Sequence, residues 1–335
     1  MVASEFAKGH TKSSNNKNAI AKVGLSLAVT LAALNTFGTT DVLAVAASAT
    51  ADTYGATGKY SGDGTDKGTA IGTSTTITKG DGTTTAIGAQ SEAYGLSAVA
   101  IGGGKSGAAS AEDAIGNVAI GYSIANGGGA VGIGYNTNAS NTGAVAIGNT
   151  TKASGVNAIA LAGGNANGAN AIALAGGKAN GLSSMAFGSG AAASSKNIAF
   201  GENANATSTQ TLAVGTNTKA GMKYSVAIGS DARTVNADGT VTGGGQSSGA
   251  IAIGYQASAT NNEAIAIGGG TKGNGYAIAS GAQSIALGGR TQTSGSQSIG
   301  IGGDVKVYGN ASIGIGGDDI EDALNATVTT SMGRV

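Results

Sequence analysis

The 335-residue chain contains no cysteine, no proline and no tryptophan, and only 11% of its residues are charged. Without cysteine there are no disulfides, zinc–thiolate sites or thiol nucleophiles. With aromatic residues at 4% and charge this scarce, neither a conventional globular core nor a charged, self-repelling disordered chain fits. The single histidine, His10, lies at the amino terminus, so the rest of the chain has no imidazole base or ligand. That excludes Ser-His-Asp triads; no enzyme activity, cofactor or metal is expected. Net charge is zero and the lysines are scattered, which leaves no electrostatic footprint for nucleic acid. What the chain has in quantity is glycine, 62 residues, together with alanine, isoleucine and valine. High glycine without proline suits stacked backbone ladders in which every N–H is needed.

Residues 1–51 form a separate unit. Lys8, Lys12 and Lys17 precede an apolar run at 19–34, and a small-residue stretch follows, with Ala47-Ser48-Ala49 and Ala49-Thr50-Ala51 as cleavage sites. Basic, then apolar, then A-x-A is the order of a secretory signal peptide. A membrane span needs about 20 apolar residues, and Asn35 and Asp41 end this run early. The segment "VASEFAKGHTKS" (2–13) resembles the end of the extended signal peptide region of large Gram-negative autotransporters. The aromatic, basic first half of that region is missing.

The body is one repeat. An apolar tetrapeptide closed by glycine recurs, ending at Gly88, Gly102, Gly121, Gly134 and Gly148, then at Gly188, Gly201, Gly215 and Gly229, then at Gly254, Gly268, Gly288, Gly302 and Gly316. Where the series is unbroken, the step is 13 or 14 residues. Two variants reading "NAIALAGG" fill the gap between Gly148 and Gly188, and longer steps at 102–121, 229–254 and 268–288 read as loops. A coil this short is no helical repeat, which needs about 33–47 residues.

Within each tetrapeptide, branched residues share one parity and small residues the other. Val226, Ile228, Ile251, Ile253, Ile265, Ile267, Ile299, Ile301, Ile313 and Ile315 carry the branched parity and are expected to be the structural core of the repeat. In a strand the two parities face opposite sides, and a strand apolar on both faces is buried on both. The second half of each coil reads as a shorter strand between Gly/Asn turns. The expected object is all-β, a parallel β-solenoid of coils of about 14 residues. One face of the main strand can line the coil; the other leaves an apolar stripe too large for a soluble monomer. Identical stripes packed about an axis remove it, as a dimer or a trimer.

The motifs "NVAIGYS" (117–123), "SVAIGSDA" (225–232) and "AIAIGYQASA" (250–259) resemble the head repeats of trimeric autotransporter adhesins, the YadA-like head. The resemblance covers roughly residues 69–317, with 52–68 as a lead-in. It implies a left-handed parallel β-roll, a side-by-side homotrimer, and display at the outer membrane of a Gram-negative-type bacterium, in the setting of virulence. It also implies binding of other cells or of host matrix proteins such as collagen, fibronectin or laminin. Residues 318–335 resemble the start of a neck. No stalk or barrel strand follows it in this sequence, so membrane anchoring is expected only through a further C-terminal region, and a chain ending here would be secreted.

Other motifs have plainer readings. Asp318, Asp319, Glu321 and Asp322 suit a helix start, where a capping box and acids complement the dipole, better than a cation site. "SGDGTDKG" (61–68) occurs once, whereas roll-type calcium sites need stacked copies. "GGGKSG" (102–107) lacks the spacing and the following helix of a phosphate loop. Tyr122, Tyr135 and Tyr255 follow the closing glycine and are candidate ligand contacts, since tyrosine offers area at low entropy cost. The favoured function is an adhesive head with multivalent contacts. The alternatives are a structural spacer of a surface fibre, or a flat-faced solenoid binding ice or polysaccharide, which would need an outward ladder of identical residues.

Overall fold

The computed structural model describes residues 67–317 apart from 73, 79–80, 108–114, 237, 241–248 and 271–274. Short strands at Asp52–Tyr54, Lys59–Tyr60 and Thr327–Val328 are described as well. The expected signal segment, the acidic run at 318–322 and most of 61–68 lie outside the described residues.

From Val99 onward a typical coil begins with a three-residue strand, turns, adds a two- or three-residue strand, and turns again. Leu212–Val214, Lys219–Ala220 and then Val226–Ile228 show one full circuit. Stacking is parallel and in register: Leu212 pairs with Val226, Ala213 with Ala227 and Val214 with Ile228. The first strands of successive coils build one 18-stranded sheet, about 80 Å long at the usual strand spacing. The second strands build sheets of 12 and 5 strands, joined through single-residue bridges from Lys219 to Arg233 and from Arg233 to Ser258. The protein is therefore an all-β parallel solenoid with coils of about 14 residues.

The interior is made of methyl groups. Ala213, Ala227, Ala252 and Ala266 from the first sheet and Ala206, Ala220 and Ala232 from the second are all fully buried. The small parity thus faces inward, and the branched parity faces out. Buried hydroxyls share the interior where they find a carbonyl: Thr218 donates to Gly229 O at 2.7 Å and Ser123 to Gly132 O at 3.0 Å. Without such partners, burying them would cost free energy.

Side-chain volume is balanced across the coil. Where the second strands carry Thr291, Thr293, Val305 and Val307, all buried, the first-sheet strands Ile299–Ile301 and Ile313–Ile315 have glycine in the middle. A Cβ on Gly300 would stand 2.9 Å from a methyl carbon of each of Thr291 and Thr293. The closing glycines answer a different constraint. Gly229 has φ +124°, and a Cβ there would lie 2.5 Å from the carbonyl oxygen of Gly254 on the next coil.

Insertions leave through the turns and do not disturb the stack. Residues 229–250 hold a long loop, yet Val226 still pairs with Ile251, and Gly254 N donates to Ile228 O at 2.8 Å. The segment after Gly268 likewise departs from the opposite turn, and Ser258 N donates to Ala277 O at 2.9 Å across it.

Gly300→Ala should lower stability by about 1–3 kcal/mol through overpacking. Adding Thr291→Ser and Thr293→Ser, which keep the hydroxyls and remove both methyls, should restore most of the loss in thermal unfolding. A neutral Gly300→Ala would show that volume balance does not limit this interior.

Candidate functional site

Among the described residues the interior is filled by buried alanine, serine and threonine side chains, and three outer surfaces are open to partners. The first is the outward side of the long sheet. Val226, Ile251, Ile265, Ile285, Ile299 and Ile313 stack in one column, and Ile228, Ile253, Ile267, Leu287, Ile301 and Ile315 in a second beside it. Toward the amino terminus the columns continue with Val131, Val145 and Ile159 and with Ile133, Ile147 and Leu161. In the single chain these side chains are half-exposed, reaching 73% at Ile315 and 55% at Phe200. Phe187 and Phe200 meet within the second column, ring centroids 5.6 Å apart.

The second surface is formed by the turns. Each circuit passes through left-handed backbone twice, and the residues there are more varied than glycine and asparagine. Thr150, Lys196, Tyr224, Asp231 and Arg290 all have φ between 53° and 59°. Stacking hydrogen bonds hold them there: Thr150 N donates to Tyr135 O and Lys196 N to Leu182 O. Amide side chains add ladders of their own, as where Asn203 Nδ2 donates to Asn217 Oδ1 at 3.2 Å.

The candidate tyrosines belong to this surface. Tyr122 and Tyr135, on adjacent coils, are 62% and 66% exposed and meet edge to face at 6.2 Å. Tyr255 is half-buried and sits eight rungs from Tyr135, about 38 Å at strand spacing. The fold therefore brings two of the three together and leaves the third apart.

The third surface is the outward side of the second sheet. Its line of residues reads Asn138, Lys152, Asn165, Lys178, Ala192, Asn205, Lys219, Arg233 and Ser258, one per coil. Along the sequence these lysines are scattered. They are collinear, and the signal was local: each cation stands between two small inward residues, as in Thr151-Lys152-Ala153 and Thr218-Lys219-Ala220. Where Lys219 and Arg233 adjoin, a shallow pocket of about 230 Å³ opens between Asn217, Lys219, Asp231, Arg233 and Asn236. Arg233 is held by Ser258 at 3.2 Å and by the Tyr276 hydroxyl at 2.9 Å, with its guanidinium 5.5 Å from the Tyr276 ring centroid.

Electrostatic perturbations are few. Burial first, and then the neighbouring Glu92 carboxylate, push the Tyr94 phenol above its usual range. The Thr240 hydroxyl and N–H hold Asp238 below the usual carboxylate range. Among the described residues no three acidic side chains gather into a metal site. The "GGGKSG" segment is not a phosphate loop: Lys105–Ser106 is a strand, Lys105 pairs with Glu92 at 3.1 Å, and the buried Ser106 hydroxyl donates to Asn117 O.

An alanine-filled parallel roll with a double aliphatic column along one side defines a solenoid repeat module. The YadA head domain repeat model matches residues 83–104, 125–151, 139–161, 198–218, 209–232, 247–271 and 279–304. The repeat region belongs to that family and is a YadA-like head of the kind found in trimeric autotransporter adhesins. This membership implies an exported bacterial surface protein with an adhesive role, a non-enzymatic kind of protein. No curated protein matches the sequence significantly.

The turns give a stability test. A β-branched residue in left-handed backbone is costly, whereas asparagine tolerates it, and Asn136 and Asn203 occupy the corresponding turn in other coils. Thr150→Asn should raise stability by about 1 kcal/mol, read as a higher unfolding midpoint. A lower midpoint would mean that the Thr150 hydroxyl bond to Asn149 O outweighs the backbone strain.

Proposed function

We propose that the chain is the head of a homotrimeric adhesin, wound left-handed and exported through the signal segment at 1–51. The head is held at the outer membrane of a Gram-negative-type bacterium through a stalk and barrel following the neck-like residues 318–335. There it binds host matrix proteins, collagen, fibronectin or laminin among them, by many weak equivalent contacts, as a virulence determinant.

The observation that carries this reading is the double aliphatic column. It runs along the first sheet from Val99 and Ile101 to Ile313 and Ile315, well beyond the few hundred Å² of contiguous apolar surface that a soluble monomer exposes. Three copies packed about an axis cover it, and Val226, Ile228, Ile251, Ile253 and their equivalents then form the core that each roll lacks within itself. The turns and the second sheet stay outside, repeated along the rod and around it. Such an array supplies avidity without a deep pocket. The flat-face alternative finds no support, because the outward line of the second sheet mixes Asn, Lys, Ala, Arg and Ser and offers no repeated template.

Two outcomes check the assembly. Sedimentation of the chain should give three chains per particle; a well-folded monomer would overturn the reading. Ile253→Asn should weaken the trimer and lower the unfolding midpoint, since an amide left without partners costs about 1–3 kcal/mol in each chain. Gln256→Ala, in a turn, should change stability by less than about 0.5 kcal/mol. If the chain stayed alone, Ile253 would remain half-exposed and the two substitutions would differ little.

Distributed binding is tested by shortening the rod. Gly201 and Gly215 share one conformation, with φ +130° and +129°, so deleting residues 202–215 joins equivalent positions and removes one coil. Nearest-neighbour solenoids tolerate such deletions. The trimer should persist, and binding to immobilised collagen, fibronectin and laminin should fall gradually as further coils are removed. An abrupt loss from one deletion would place the site in a single coil, with Tyr122 and Tyr135 examined first.

A further inference from the structure

We propose that the outward line of the second sheet is a binding track for a linear sulfated polysaccharide of the glycosaminoglycan class, running through Lys152, Lys178, Lys219 and Arg233. The proposal rests on the adhesive reading above but not on any protein ligand. It is also distinct from flat-face recognition, because charge carries it.

Placement comes first. The four cations lie on one straight line, because each occupies the same position of its coil and the coils stack in register. Lys152 and Lys178 are two rungs apart, Lys178 and Lys219 three, and Lys219 and Arg233 one. At about 4.8 Å per rung, the first spacing is comparable to one disaccharide of an extended polysaccharide. The line lies on the opposite sheet from the aliphatic columns, so trimer formation leaves it open and triples it.

Charge is the second observation. Residues 114–201 contain no aspartate or glutamate at all, so the first half of the track has no carboxylate to compete with a ligand. Lys152, Lys178 and Lys219 are exposed, and among the described residues none of them forms a salt bridge. This contrasts with Lys105, further along the same line, which Glu92 neutralises.

The third observation is the chemistry between the cations. Half-buried Asn138, Asn165 and Asn205 alternate with them, their carboxamide oxygens buried against the roll. At the carboxyl end, the pocket at Lys219 and Arg233 adds Asn217, Asn236 and Asp231. In that pocket two carboxamides and a carboxylate suit sugar hydroxyls, while the two cations take a sulfate. Single-stranded nucleic acid, the other linear polyanion, is bound by aromatic side chains on which bases stack. This line has none, and the nearby Tyr276 ring is occupied by Arg233.

The test measures retention of the full chain on immobilised heparin, with uncharged dextran and duplex DNA as comparison matrices. The wild type should bind heparin at low salt and elute as salt rises, since neutralising a polyanion releases counterions. Lys152→Gln, Lys178→Gln, Lys219→Gln and Arg233→Gln together should lower heparin affinity by about tenfold or more and flatten its salt dependence. Lys196→Gln with Lys223→Gln, two turn lysines off the line, should change it little. Because Arg233 also ties Ser258 to Tyr276, the triple lysine variant serves if the quadruple variant misfolds, and it should show most of the loss.

Sedimentation and collagen binding of the same samples separate the two readings. Loss of heparin retention with the trimer and collagen binding intact supports the track. A wild type that ignores heparin, an equal loss in the off-line variant, or equal retention on duplex DNA would overturn it. A wild type that binds heparin along this line but no matrix protein would instead overturn the proposed protein ligands.

Discussion

The alanine methyl sets the thickness of this roll, and the other features follow from it. Ala213, Ala227 and Ala252 of the first sheet and Ala206, Ala220 and Ala232 on the other side of the coil are fully buried, and larger inward residues such as Val305 and Val307 stand where the first-sheet strands have glycine in the middle. The paired columns of isoleucine and valine on the first sheet stack on the outside. A core one methyl deep on each side buries little apolar area per residue, and hydrophobic stabilisation scales with that area. The large aliphatic surface that would ordinarily stabilise a domain from within is instead offered to neighbours. Folding and association are thereby tied to the same side chains.

Much of this was legible in the sequence. The period and the two parities appear in the structure, because equivalent residues of successive coils must stack in register. Which parity faces inward was not legible, since Ala-in and Ile-in produce the same alternation. The choice depends on how far apart the sheets sit, and that distance is a property of the whole coil. The volume balance at Gly300 against Thr291 and Thr293 is hidden for the same reason.

The turns were read only in part. Left-handed backbone at Thr150, Lys196 and Tyr224 contradicts local preference, which favours glycine or asparagine there. Each of these residues donates its backbone N–H to a carbonyl of the preceding coil, so the stack dictates the conformation and the residue tolerates it. The line of cations was missed for a related reason. Lys152 and Lys178 are 26 residues apart in sequence and two rungs apart in space, and charge scattered along a chain becomes ordered once the chain is wound.

The loops at 229–250 and after Gly268 show that the roll has two independent directions of growth. Along the axis, length is quantised: a coil is added or removed whole, and each step advances the tip by one strand spacing. Across the axis, any amount of chain can leave at a turn and return, provided its ends meet the same two hydrogen-bonding partners. Lineages of such a protein can therefore vary reach and surface decoration separately, by duplication in one case and by insertion in the other. An engineer has the same freedom, with a ruler in one dimension and graft points at Asn236 and Gly269 in the other.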